Sequence, residues 1–247
     1  MKRSKPWFEE WFNSPYYHIL YGQRDYNEAK RFIENLLAYL QPVKESTFLD
    51  LACGKGRHAL EIANHGYPTT GIDLSVNSID EARKLNNPLL RFEVGDMRNV
   101  HFPNAFSYIF NLFTSFGYFD DHDGQKQSLD AMHAQLKAGG TLVIDYLNTY
   151  KVEQLIEENP IHTLSISDIE FHIKKRLSSQ FISKEISFHD KGTDYHFYEH
   201  VWRLSLENFQ DLLENSGFEI QTIFGDYELN NFKPNTSDRL IMVAKRT

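Results

Sequence analysis

Three aspartates stand at or near the ends of short apolar runs: Asp50 after Phe48-Leu49, Asp73 after Gly71-Ile72, and Asp96 after Val94-Gly95. Between the first two lies Gly54-Lys55-Gly56-Arg57-His58-Ala59. Glycines in a strand-to-helix turn let backbone approach a ligand closely, and the helix start offers unpaired N–H donors. The hexapeptide also fits the G-x-G-x-x-G/A pattern of dinucleotide-binding loops, which by itself is weak. The carboxylates discriminate. A pyrophosphate gains nothing from Asp50, inside the turn, whereas a cationic ligand does. Asp73 lies close to the spacing of about 20 residues at which an acid meets ribose hydroxyls. Gly95-Asp96-Met97 offers one polar and one apolar contact, enough to hold an adenine ring at its edge and face. Together they favour a ribose-bearing, net-cationic ligand.

The surrounding elements must place these groups at one end of a sheet. Strands are expected over Thr47–Cys53, Thr69–Leu74, Leu90–Val94, Phe106–Phe113 and Thr141–Leu147. Helices alternate with them: one from about Arg57 to Asn64, one with Ser75 as N-cap, and one from about Asp123 to Leu136. An earlier helix, Asn27 to Leu40, places Ala29, Phe32, Ile33, Leu36, Leu37 and Leu40 on one face and ends before Pro42. This rhythm predicts an α/β fold, a mostly parallel sheet doubly wound by helices. It breaks after Asn148. From Asp168 to Leu204 the pattern has period two, with a hairpin turn at Asp190-Lys191-Gly192, and predicts two to four inserted antiparallel strands. A helix over Leu206–Asn215 and strands Phe218–Phe224 and Arg239–Ala244 close the chain.

Asp50 to Gly56, Gly71-Ile72-Asp73-Leu74 and Gly95-Asp96-Met97-Arg98 resemble successive motifs of the class I S-adenosylmethionine-dependent methyltransferases, closest to their small-molecule branch. The similarity covers roughly residues 45–147. It implies a seven-stranded Rossmann-like sheet with its last strand antiparallel, S-adenosyl-L-methionine as cofactor and S-adenosyl-L-homocysteine as product. It also implies that Gly54 and Gly56 pack under the cofactor, that Asp73 binds the ribose hydroxyls, and that Asp96 meets the adenine amino group beside Met97. Ala52 stands where the family often carries glycine. On this reading one domain comprises a helical lid over 1–44, a cofactor core over 45–148, inserted strands over 165–205, and a closing helix and hairpin over 206–247.

Candidate cofactor contacts are therefore Asp50, Ala52, Gly54, Gly56, Arg57, Asp73, Leu74, Asp96, Met97 and Asn111. Arg57 is a partner for the cofactor carboxylate, and Asn111, at the end of the fourth strand, for the methionine portion. The aromatic N-terminus, from Trp7 to Tyr21, and the inserted strands are expected to enclose the acceptor. Tyr17 and Tyr21, four apart, can share one helix face and meet a sulfonium through their rings. Tyr146, His200 and Trp202 are further candidates to face the acceptor, and His200, Tyr146 and Asp145 are candidate bases.

His196-Phe197-Tyr198-Glu199-His200 matches the metal-binding H-x-x-E-H, which needs a helix. The aromatic alternation here predicts a strand, which separates the two imidazoles by roughly 13 Å, so no metal is expected. The single cysteine, Cys53, excludes an internal disulfide and a thiolate cluster. A net charge of −8 over 247 residues argues against a nucleic-acid partner, and Lys174-Lys175-Arg176 is too small a basic run to reverse that. No apolar run reaches the roughly 18 residues a membrane span needs, and the N-terminus lacks a signal peptide's apolar stretch. The expectation is a cytoplasmic methyltransferase acting on a small molecule by in-line transfer. The alternatives are a non-catalytic S-adenosylmethionine-binding protein and an NAD(P)-dependent reductase.

Overall fold

A computed structural model describes residues 7–22, 26–85, 87–119 and 121–247. Residues 1–6 and 23–25 of the expected lid lie outside the described residues. The apolar runs form β1 (Phe48–Leu51), β2 (Thr69–Asp73), β3 (Leu90–Val94), β4 (Phe106–Asn111) and β5 (Leu136–Leu147), with β10 (Phe218–Phe224) and β11 (Arg239–Arg246) at the chain end. Their order in one sheet is β10-β11-β5-β4-β1-β2-β3. β1 pairs in parallel with both β2 and β4, so the strand order reverses beside it. In open α/β sheets the crevice beyond the strand ends at such a reversal is where ligands bind. β11 runs antiparallel to β5 and β10, giving seven strands with one reversed. It lies inside the sheet, and β10 takes the edge.

Helices α4 (Arg57–Asn64), α5 (Val76–Ala82) and α6 (His122–Gln135) occupy the expected connections. α3 (Tyr26–Leu40) buries Ala29, Phe32, Ile33, Leu36 and Leu37, the face its spacing predicts. The Ser75 side chain caps α5 by accepting from the Ser78 amide. Three elements depart from the sequence reading, one of them a strand over Ile161–Ile166 that precedes the expected start of the inserted strands at Asp168. α7 (Thr149–Glu158) continues the helical rhythm past Asn148; it buries only Thr149 and Ile156, too thin an apolar stripe to be read. β5 starts at Leu136 rather than Thr141, because residues 137–140, with Gly139-Gly140, bulge out between the Phe106–Leu136 and Tyr108–Thr141 pairs.

A second sheet holds β6 (Ile161–Ile166), β7 (Ile169–Leu177), β8 (Phe181–Asp190) and β9 (Thr193–Trp202), antiparallel in that order. The β8–β9 turn passes through Lys191 and Gly192 with φ of 48° and 76°, the left-handed pair a two-residue hairpin demands. One face of this sheet buries Ile169, Phe171, Ile173, Ile186 and Phe188 against Trp7, Phe8, Trp11 and Leu20. Those last four come from α1 (Trp7–Phe12) and α2 (Pro15–Tyr21). Alternation on strands and 3.6-periodicity on two short helices thus build a separate core over the first sheet's crevice. Among the described residues, no helix is long and apolar enough to cross a membrane.

Candidate active site

A cavity of about 410 Å³ opens at the carboxyl ends of β1, β2 and β3 and is roofed by α1 and α2. Its floor is backbone. Ala52, Gly54 and Gly56 have φ of 63°, 54° and 78°, so the chain after β1 winds through alternate left-handed residues. A Cβ at Gly54 would meet no protein atom within 4 Å, and Gly54 lines the cavity. At Gly56 a Cβ would strike the Phe92 ring at 2.5 Å, so that glycine serves the packing of α4 on the sheet.

The three aspartates divide the work. Asp50 is buried, and its Oδ2 accepts the Ala59 amide in the first turn of α4 at 3.1 Å. Burial pushes its carboxyl up to about 7, against the lowering effect of that hydrogen bond. Asp73 lines the cavity and accepts two loop amides, Gly54 at 2.8 Å on Oδ2 and Ser75 at 2.8 Å on Oδ1. Its burial raises its pKa, opposed by those same amides. Asp96, at the mouth beyond β3, pairs with Arg98 at 2.5 Å; burial pushes its carboxyl up, but the Arg98 contacts win and hold it below its ordinary value. One aspartate braces the helix, one joins two loops and the third caps the next.

The roof is aromatic. Phe8, Phe12, Tyr17, His18 and Tyr21 line it from α1 and α2, and Phe113, Tyr118 and Phe119 form the far wall on the β4–α6 connection. Burial lowers the His18 imidazole to about 4, so it is neutral at pH 7, and its Nε2 has no hydrogen-bond partner among the described residues. The roof is anchored at one half-buried carboxylate. Glu199 of β9 accepts Trp11 Nε1 at 2.6 Å and the Tyr21 hydroxyl at 2.8 Å, and pairs with Lys184 of β8 at 2.8 Å. Burial works to raise the Glu199 pKa, and Lys184 with the two donors outweighs it and leaves it lowered. On the opposite side the α1–α2 turn docks on α5, where Ser75 Oγ donates to Asn13 Oδ1 at 2.7 Å.

Residues 48–140 match a methyltransferase domain family. A dTDP-3-amino-3,4,6-trideoxy-alpha-D-glucopyranose N,N-dimethyltransferase of Streptomyces venezuelae is 29% identical over 122 residues, 49% of this chain and 51% of that protein. Among solved structures, an S-adenosylmethionine-dependent methyltransferase of Clostridium acetobutylicum superposes with a TM-score of 0.77 at 21% identity, covering 93% of this chain and 95% of the other. The chain carries a methyltransferase domain in the fold of S-adenosylmethionine-dependent methyltransferases. The S-adenosylmethionine-bound amino pentose methyltransferase of Micromonospora echinaspora shares the fold, with a TM-score of 0.73 at 20% identity over 95% and 98% of the two chains.

In this methyltransferase the residues singled out by sequence fall into two groups. Ala52, Gly54, Arg57, Asp73, Leu74, Asp96, Met97, Tyr17 and Tyr21 line the cavity together. Asp50, Gly56 and Asn111 lie beneath its floor; Asn111 is fully buried and its amide donates to the Leu51 carbonyl at 3.0 Å. Tyr146, His200 and Trp202 do not face the cavity, contrary to expectation. Tyr146 is fully buried and its hydroxyl donates to the Trp202 carbonyl at 2.5 Å, tying β9 to the first sheet. Trp202 donates through Nε1 to the Phe119 carbonyl of the far wall at 2.5 Å, and the His200 ring packs between Trp7 of the roof at 4.8 Å and Phe181 of β8 at 5.3 Å. Asp145, the remaining candidate base, is ion-paired with Arg239 away from the cavity. Cys53 lines the cavity, but burial pushes its thiol up, which suits packing rather than nucleophilic attack. Sequence reasoning missed the Glu199–Lys184 anchor. One signal was present: Glu199 is a lone acid on the face of β9 shared with Tyr195, Phe197 and Val201.

Proposed function

We propose that the protein methylates a small-molecule acceptor, with the cofactor's nucleoside on the β1–β3 floor and the acceptor under the α1–α2 roof. The observation that carries this is the placement of Asp73. Its carboxylate lines the cavity while its two loop hydrogen bonds fix it beside Gly54, where a missing side chain leaves open space. A vicinal diol is the group such a carboxylate holds best, through two charge-assisted hydrogen bonds. Asp96 would accept from the adenine amino group, with Leu74 and Met97 on the ring faces. Arg57, over the Phe113 ring at 4.8 Å, would take the carboxylate of the methionine portion.

The bound cofactor supplies a methyl group on a sulfonium, already activated for displacement. What this chain has to contribute is alignment and exclusion of water. Phe8, Phe12, Tyr17 and Tyr21 close the roof; the Tyr17 ring offers a π face to positive charge, and the Tyr21 ring, which carries the Lys184 ammonium at 4.9 Å, has its other face to offer. Burial raises the Tyr21 and Tyr118 hydroxyls well above their ordinary range, so neither serves as a base at neutral pH. The likeness to enzymes named for amino-sugar methylation makes a small amine the first acceptor class to assay. The cytoplasm is the compartment this reading carries. Calorimetric titration with S-adenosylhomocysteine and with NADH tests it. Binding of the former with negligible heat from the latter is expected, and tighter binding of NADH would overturn the assignment.

A further inference from the structure

The connection after β4 turns through two consecutive left-handed residues, Phe113 with φ of 67° and Thr114 with φ of 57°. Neither is glycine, and for a β-branched residue such as Thr114 this is a genuine outlier. A turn of this kind persists only where its surroundings over-determine it, and such turns gather at functional sites. Here the surroundings are one buried ion pair on the neighbouring strands. Asp145 of β5 is 1% exposed; its Oδ2 accepts the Phe113 amide at 2.7 Å and its main-chain carbonyl accepts the Thr114 amide at 2.8 Å. Arg239 of β11 donates through Nε to Asp145 Oδ1 at 2.7 Å and through Nη2 to Thr114 Oγ1 at 2.8 Å. The Tyr227 hydroxyl adds a further donor to Asp145 Oδ2 at 3.2 Å. The Phe113 amide and the Thr114 hydroxyl are thus taken up by a single salt bridge, and the Thr114 amide by the main chain of the same aspartate.

The consequence reaches the cavity through Phe113. Its ring carries the Arg57 guanidinium at 4.8 Å from the centroid and the Arg239 guanidinium at 5.9 Å. Arg57 opens α4 and lines the cavity with Phe113, whereas Asp145 and Arg239 do not line it. An arginine side chain loses much rotamer freedom when held in one orientation. If that loss is met on folding, ligand binding no longer carries it.

We propose that Asp145 and Arg239 are positioning residues: they lock the 113–114 turn so that Phe113 holds Arg57 ready for the carboxylate of the cofactor's methionine portion. This rests on the cofactor site proposed above. Two ligands separate the effects. S-adenosylhomocysteine carries the aminocarboxylate, and 5′-methylthioadenosine has the same nucleoside and thioether without it. The wild-type protein should prefer the former at least tenfold or so, the range of a charge-assisted pair. Arg239→Lys and, separately, Phe113→Leu should remove most of that preference by weakening S-adenosylhomocysteine alone, with methylthioadenosine within about twofold. In an Arg57→Ala background, Arg239→Lys should then change neither affinity further. A parallel loss for both ligands would make the pair merely structural and overturn the proposal, as would an unchanged preference in both variants. Failure of the wild-type protein to bind either ligand would instead overturn the cofactor reading. Phe113→Leu keeps the ion pair intact, so the test survives if Arg239→Lys does not fold.

Discussion

The floor and the roof of the cavity are built by opposite means. The floor is made of main chain: left-handed turns at Ala52, Gly54 and Gly56, and loop amides gathered by Asp73. Its parts lie within about fifty residues of one another, in register with consecutive strands. The roof is made of side chains from distant parts of the chain, joined at Glu199, whose bonds to Trp11 and Tyr21 span 188 and 178 residues. On the proposed reading, the pre-formed backbone site takes what is common to every reaction of the enzyme. A side-chain roof is where a different acceptor can be accommodated without disturbing the cofactor. The division also predicts where mutations will be felt: stability of the roof, affinity of the floor.

The largest effect should come from Lys184→Met. It leaves Glu199 with neutral donors only, and breaking a largely desolvated pair in this way costs about 2–3 kcal/mol. The loss should be local: hydrogen exchange over residues 7–22 should speed up while β1 and β2 stay protected, as exchange mass spectrometry would read. Uniform loss of protection would abolish the distinction between floor and roof. Asp73→Ala comes next. Removing a charged partner from two ribose hydrogen bonds should weaken S-adenosylhomocysteine at least tenfold, about 1.4 kcal/mol or more. Because Asp73 also holds the Gly54 and Ser75 amides, its loss should lower stability by about 1–2 kcal/mol too. Unchanged affinity with lowered stability would reduce Asp73 to a loop brace.

The smallest effect sharpens the same contrast through pH. Glu199 has a lowered pKa, so its contribution is present above its unfolded value and is lost as pH falls through the folded one. Asp50 is the reverse: its carboxyl is raised to about 7, the folded state holds the proton longer, and stability falls as pH rises toward that value. Between pH 6 and 7 this slope is on the order of 1 kcal/mol, and Asp50→Asn should remove it. Melting temperatures of the two proteins across pH 5 to 8 would show it. Parallel curves would mean that the Asp50 charge is solvated in the folded state.

The floor was legible because its signals are local. The spacing of Asp50, Gly54, Asp73 and Asp96 and the alternation of strand and helix set where the loops fall, and nine of the named residues line one cavity. What failed was the assignment of faces. Period two on β9 groups Tyr198, His200 and Trp202, but it does not say which face meets the core, and at the strand's end Val201 and Trp202 are both buried. Tyr146 and Asn111 failed for a related reason. Each sits near a strand end, where one residue of difference decides between the cavity and the layer beneath it. Arg239 and Lys184 were unreadable as partners because nothing local marks a residue that closes a contact across the fold.

A crystal structure with S-adenosylhomocysteine bound tests the central claim most directly. The account predicts the ribose hydroxyls within hydrogen-bond distance of the Asp73 carboxylate and the thioether sulfur within about 4–4.5 Å of the Tyr17 or Tyr21 ring. A ligand bound elsewhere in the cavity with Asp73 unengaged, or a sulfur more than about 10 Å from every residue of α1 and α2, well beyond contact distance, would contradict it.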